Sequence, residues 1–162
     1  MKEKVLMDYV VNNKTMALLP AAHMDYYTIA LEWNQTLYIK KKPFTLIDEA
    51  CLRGGSSFEG RRLSAIFKTG LQRKLPIGIN TEKNIFVFPT MAPKHFNCQW
   101  IFSSHIQSVI RDPSAPKKSI LIFNNQQKIN LNISHKSLQN QIYRTSHCML
   151  RFSDKWDEPT IS

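Results

Sequence analysis

A single α+β domain, with a mostly antiparallel sheet and about three helices, is the fold that this sequence predicts. The length of 162 residues suits one domain of ordinary size. Hydrophobic residues make up 43%, which supplies a core and excludes a disordered chain. Short apolar runs and helical segments follow one another without regular strand–helix–strand alternation, which argues against a parallel α/β architecture. No internal repeat or linker divides the chain. The domain is expected over residues 1–151, with 152–162 as a short flexible tail.

The first strands are expected at residues 5–11 (VLMDYVV) and 15–19 (TMALL), as a hairpin around Asn12-Asn13-Lys14. Residues 23–34 fit no single pattern. Residues 36–40 read as a strand with Leu37 and Ile39 on one face, closed by Lys40-Lys41-Lys42-Pro43. Residues 45–53 predict a helix with Thr45 as N-cap, Asp48 and Glu49 in the first turn, and Gly54-Gly55 as its stop. A second helix starts after Ser56 or Ser57 and runs toward Leu71. Leu63, Ile66 and Phe67 are expected to pack, with Leu71 continuing that face, while Gly60 weakens the first turns.

Beyond Lys74 the pattern turns β-like. Residues 76–79 and 85–90 flank a polar turn, and Trp100-Ile101-Phe102 starts another run. Residues 112–118 form a Pro-rich loop. Ser119 to Phe123 and Lys128 to Ile133 flank Asn124-Asn125-Gln126-Gln127 as a second hairpin. Ser134 is positioned to cap a last helix carrying Leu138, Ile142 and Met149.

Charge is the first functional clue. Lys and Arg number 22 against 12 Asp and Glu, a net +10. Such a domain attracts polyanions, because neutralising phosphates releases condensed counterions. Between Lys40 and Lys74 stand nine basic residues (Lys40, Lys41, Lys42, Arg53, Arg61, Arg62, Lys68, Arg73, Lys74) against Asp48, Glu49 and Glu59. That local excess of six exceeds half of the net charge. On the second helix, Arg61, Arg62 and Lys68 fall away from the Leu63/Ile66/Phe67 face and are expected to meet a duplex. Ser56, Ser57 and the free N–H groups at the helix start are candidates for a phosphate oxygen. Arginine suits a narrow A/T-rich minor groove, where the negative potential is strongest. The expected DNA-binding set is Lys40, Lys42, Arg53, Ser56, Ser57, Arg61, Arg62, Lys68, Arg73 and Lys74. The competing reading is a solvated helix face beside a tight interhelix turn.

Other chemistries lack their residues. There is no P-loop, no dinucleotide-binding glycine fingerprint and no nucleophile elbow. The GGSSFEG stretch lacks the Gly-Lys-Ser/Thr ending that anchors a nucleotide. Asp48 and Glu49 are adjacent, so on a helix they diverge rather than form an acid/base pair. His95, Cys98 and His105, with His147 or Cys148, could be imagined around zinc, but the second half lacks a matching ligand pair. No catalytic residue, metal or cofactor is expected. Phe86, Phe88, Trp100 and Phe102 alternate as core residues do, rather than as an exposed base-stacking platform. Cys51, Cys98 and Cys148 make no even disulfide set and suit a reducing cytosol. No stretch approaches the ~20 apolar residues of a membrane span, so the expected location is cytoplasmic, with no membrane partner.

Short motifs in a fixed order carry a resemblance. They are Tyr9-Val10-Val11-Asn12 with Thr15 to Pro20, Lys42-Pro43, Asp48 with Cys51, and Gly55-Ser56-Ser57-Phe58-Glu59-Gly60-Arg61. Lys74-Leu75-Pro76-Ile77, Ile85 to Thr90, Cys98-x-Trp100-Ile101, His105 and Ser137 to Thr145 follow. This set, from about Asp8 to Arg151, is similar to the ComK family of competence transcription factors. The resemblance implies a cytoplasmic activator of DNA-uptake and recombination genes, with no enzymatic activity and no cofactor. It implies paired A/T-rich boxes bound largely through the minor groove, with self-association as a dimer on each box and two dimers on a promoter.

In the family a MecA-type adaptor delivers the protein to a Clp protease. Longer members continue past the stretch matching Arg151, and the tail here holds no segment of that kind, which argues against this turnover route. Two alternatives stand beside the activator. One is a truncated or regulatory ComK form acting as a protein-interaction module without promoter activation. The other is a nucleic-acid enzyme, which needs clustered acidic or metal-binding residues that the sequence does not offer.

Overall fold

The computed structural model describes residues 4–153. The strands are β1 (Val5–Leu6), β2 (Thr15–Pro20), β3 (Thr28–Glu32), β4 (Gln35–Ile39), β5 (Ile77–Asn80), β6 (Ile85–Pro89), β7 (Trp100–Phe102), β8 (Ile106–Arg111), β9 (Ser119–Phe123) and β10 (Lys128–Leu131). The helices are α1 (Pro43–Arg53), α2 (Phe58–Thr69) and α3 (His135–Ser153), and a 3-10 turn spans Ser103–His105. The α+β expectation holds. Of the expected tail, Phe152 and Ser153 end α3, and 154–162 lie outside the described residues.

A seven-stranded sheet has the order β1-β4-β3-β2-β7-β6-β5, and a three-stranded sheet the order β10-β9-β8. The β1–β4 pairing is parallel and the other pairings are antiparallel. Both faces of the large sheet are covered. Leu18, Val87, Trp100 and Phe102 share one core with Leu46, Ile47 and Cys51 of α1 and Phe58 and Ala65 of α2. Met16, Leu31, Phe88 and Ile101 face the other way, onto Leu121, Phe123 and Leu131 of the small sheet and Leu138 of α3. Trp100, Ile101 and Phe102 therefore enter opposite cores in turn. Burial on both faces explains why these strands read as unbroken apolar runs. Phe86, Phe88, Trp100 and Phe102 are all buried, so they form no exposed stacking platform.

The expected first hairpin does not form. Val5 and Leu6 pair in parallel with Tyr38 and Ile39 of β4, while β2 pairs with β3 and β7. The cause is Tyr9, which turns inward instead of continuing a ladder. Its hydroxyl donates to Glu32 Oε2 at 2.5 Å and lies 2.7 Å from Thr15 Oγ1. The Asn12 amide donates to Thr15 Oγ1 at 3.0 Å and closes the turn. The ambiguous stretch 23–34 contains β3. Its Glu32 is buried and is met by Tyr9, Asn12 and Gln35.

Helix α1 begins earlier than expected. Lys42, not Thr45, is the N-cap and Pro43 occupies the first turn, where its fixed φ and missing N–H cost nothing. Asp48 and Glu49 consequently lie beyond the first turn. The hairpins β5–β6 and β9–β10 form as expected. The Ser137 amide donates to Ser134 Oγ at 3.2 Å, which makes Ser134 the cap of α3.

Candidate nucleic-acid interface

The ten candidate residues fall in three places: the start of α1, the α1–α2 turn, and the end of α2 with the link to β5. At the first, Lys40 and Lys42 are exposed. The Lys42 ammonium lies 6.0 Å from the centroid of the Tyr27 ring. Lys41, between them, is neutralised. It donates to Glu49 at 2.8 Å and to Asp8 at 3.0 Å, and Arg53 approaches the same two carboxylates at 3.8 and 3.9 Å. The bonds it donates to Glu49 and Asp8 raise the Lys41 ammonium pKa, and accepting from Lys41 lowers the Asp8 carboxyl pKa. Two cations and two anions close on one another here, so Arg53 offers little free charge.

The turn between the helices is also occupied from within. Ser57 caps α2, accepting from the Gly60 amide at 3.0 Å, and Asp48 Oδ1 accepts from the Phe58 amide at 2.9 Å. Two of the N–H groups expected to hold a phosphate are thus bonded already. The hydroxyl of Ser56 faces the Ser57 carbonyl at 3.4 Å. Arg62 Nε donates to Glu59 at 2.9 Å. That pairing raises the Arg62 pKa and lowers the Glu59 pKa.

The packing face of α2 differs from the expected one. Phe58 and Ala65 are its buried residues, Ile66 is half-buried, and Leu63 and Phe67 are 55% and 91% exposed. The helix is therefore rotated from the expected orientation, with Phe58 anchored against Phe44 and Trp100. The rotation moves Arg61 from the outer face to the helix junction. There it is half-buried and its Nη2 donates to the Gly54 carbonyl at 2.9 Å.

At the third place Lys68, Arg73 and Lys74 are exposed. The Lys68 ammonium lies 5.3 Å from the Phe152 ring centroid. The backbone of Lys74 is left-handed, with φ 49°, and Gln141 of α3 holds its carbonyl at 2.9 Å. Arg144 donates to the Arg73 carbonyl. Helix α3 thus fixes the link from behind and leaves the two side chains outward. Among the described residues, Lys40, Lys42, Lys68, Arg73 and Lys74 make no ion pair with a carboxylate.

A second basic region lies outside the segment that the sequence pattern singles out. From Lys83 to Ser153 nine basic residues stand against Asp112 alone. The signal is present in the composition, but it is spread over twice the length of the Lys40–Lys74 segment and holds no adjacent triplet. Lys94, Arg111, Lys117, Lys118, Lys128 and Lys136 are exposed. Among the described residues, none of these six pairs with a carboxylate within salt-bridge distance.

The imagined zinc ligands are dispersed. His95 is exposed and stacks on Phe96, His105 Nε2 lies 2.8 Å from the Asn13 carbonyl, and Cys98 and Cys148 are buried. Among the described residues no three His, Cys, Asp or Glu side chains are placed to hold a metal. Burial pushes each of the three thiols up to about 11, which keeps them protonated. No helix among the described residues is long and apolar enough to cross a membrane.

Comparison with known proteins adds two matches. The family model described as ComK protein matches residues 6–157. The competence transcription factor of Bacillus subtilis is 30% identical over 154 residues, covering 94% of this chain and 79% of that protein. No solved structure matches the chain significantly.

Proposed function

The chain belongs to the ComK family, and from that premise we propose that it is a cytoplasmic competence transcription factor that activates DNA-uptake genes. It binds A/T-rich promoter boxes, largely through the minor groove. The observation that carries the reading is the similarity to a competence transcription factor across 94% of the chain. The charge geometry supports it: among the described residues, exposed cations without a carboxylate in salt-bridge distance lie at the start of α1 (Lys40, Lys42), at and after the end of α2 (Lys68, Arg73, Lys74) and from Lys94 to Lys136. Such cations gain free energy on a duplex by releasing counterions.

Within the proposed DNA-binding set the residues divide by role. Lys40, Lys42, Lys68, Arg73 and Lys74 contact phosphate or groove directly. Arg53, Ser56, Ser57, Arg61 and Arg62 hold the helix pair that carries them. Self-association belongs to the same reading, and the exposed Leu63 and Phe67 on α2 offer an apolar surface for it. Catalysis and cofactors have no part in it.

The test is an anisotropy titration of the purified chain. One labelled duplex carries two spaced A/T-rich boxes, and a G/C-substituted duplex of equal length serves as control. Preference for the A/T duplex that persists as salt rises supports the reading. Equal, weak binding to both that vanishes with salt contradicts it.

A further inference from the structure

We propose that the loop Asp112–Lys118, between β8 and β9, is a preformed arm that enters a DNA groove. Arg111, Lys117 and Lys118 hold the duplex, and Pro113 and Pro116 form the apolar tip. The inference rests on the DNA-binding reading and adds to it a specific element outside the Lys40–Lys74 segment.

The loop is built as two consecutive turns. The Ala115 amide donates to the Asp112 carbonyl at 3.2 Å, and the Lys118 amide to the Ala115 carbonyl at 2.9 Å. A proline occupies the second position of each turn, where its fixed φ is already the one required. The arm is thus ordered before it binds, and ordering it costs little on association. Its base is equally fixed. Arg111 pairs with Ser119 across the β8–β9 ladder, Ser119 pairs with Leu131 of β10, and the buried Ser119 hydroxyl donates to the Ile133 carbonyl at 2.8 Å.

The electrostatics point outward. Arg111, Pro113, Pro116, Lys117 and Lys118 are all exposed. The loop's one carboxylate, Asp112, is turned onto Ser114, accepting from its amide at 3.0 Å and from its hydroxyl at 2.7 Å. It also sits close enough to Lys118 to feel its charge. Arg111 and Lys117 have no counter-ion among the described residues. A cationic double turn carrying exposed prolines matches the minor groove, whose negative potential attracts Arg and Lys and whose base steps accept apolar wedges.

The experiment compares the full chain with Lys117→Ala/Lys118→Ala, Arg111→Ala and a charge-matched control, Lys4→Ala/Lys14→Ala, whose two exposed lysines lie outside both basic regions. Each is titrated on the A/T-rich and G/C duplexes over a salt series. The double arm variant is expected to lose about tenfold or more in affinity and to show a log–log salt slope shallower by about 1.8. Arg111→Ala is expected to narrow the A/T-over-G/C preference, and the control to change both quantities by less. Arm and control variants that weaken binding equally overturn the arm while leaving the DNA-binding reading intact. A parent chain without A/T preference overturns the reading and the arm together.

Discussion

The guanidinium of Arg61 donates to the carbonyl oxygen of Gly54 at 2.9 Å, tying the first turn of α2 to the end of α1. A methyl group at Gly54 would collide with Arg61 Nη2 and come within 3.1 Å of the Ile79 carbonyl. Gly54→Ala is therefore expected to destabilise the fold by about 1–3 kcal/mol, measured by urea unfolding. In the Arg61→Ala background its cost should shrink, because the nearest obstacle is gone and only the Ile79 and Cys51 carbonyls remain, at 3.1 and 3.3 Å. A double-mutant cycle that finds the two changes additive would contradict this coupling.

Tyr9→Phe removes the hydroxyl that meets Glu32 and Thr15, and leaves a buried carboxylate short of a donor. The expected cost at neutral pH is about 1–3 kcal/mol. Burial raises the Glu32 carboxyl pKa, but hydrogen bonds from Tyr9, Gln35 and Asn12 outweigh it and hold the pKa below the ordinary 4.5. A carboxyl lowered on folding contributes stability above its unfolded value and loses it as pH falls through the folded one. The parent should thus lose this contribution below about pH 4.5, and Tyr9→Phe should lose less over the same window. Parallel stability–pH curves for the two proteins would contradict the assignment.

The three cysteines should be silent in the native protein. Each is buried, and burial pushes each thiol up to about 11. Since the thiolate is the reacting species, a disulfide reagent at about pH 8 should label Cys51, Cys98 and Cys148 only after denaturant is added. Rapid labelling of a native thiol, located by mass spectrometry, would contradict the packing.

The candidate cations should divide by their partners. Removing charge at Lys42, Arg73 or Lys74 should weaken DNA binding and flatten the salt slope by about 0.9 for each phosphate that is no longer neutralised. Removing it at Arg62, which is paired with Glu59, should change the slope by much less. A slope change at Arg62 as large as that at Arg73 would contradict the division.

Phe67→Glu should leave the monomer fold intact, because that side chain is 91% exposed. If α2 mediates self-association, the variant should shift sedimentation toward the monomer. An unchanged oligomer distribution would place the interface elsewhere.

What can be read in the sequence depends on whether its determinants are local. Capping and turn chemistry stand in neighbouring residues, so Ser57, Ser134 and the hairpins around Asn80–Asn84 and Asn124–Gln127 are legible. The β1–β4 pairing is not, because Tyr9 is held by Glu32, a partner 23 residues away. The face of α2 is hidden for a related reason. Leu63, Ile66 and Phe67 have apolar spacing, but the aromatic contacts of Phe58 with Phe44 and Trp100 set the rotation. Charge density along the chain finds Lys40–Lys74. It cannot anticipate that Asp8 reaches back to Lys41 and Arg53, or that, among the described residues, Lys94, Arg111, Lys117, Lys118, Lys128 and Lys136 stay clear of carboxylates.

The central claim is A/T-selective DNA binding, and the most direct measurement is fluorescence anisotropy of the purified chain on the two-box A/T duplex and its G/C counterpart at several salt concentrations. The account predicts tighter binding to the A/T duplex throughout, with a steep salt dependence on both. Equal affinity for the two duplexes, lost together as salt rises, would contradict it.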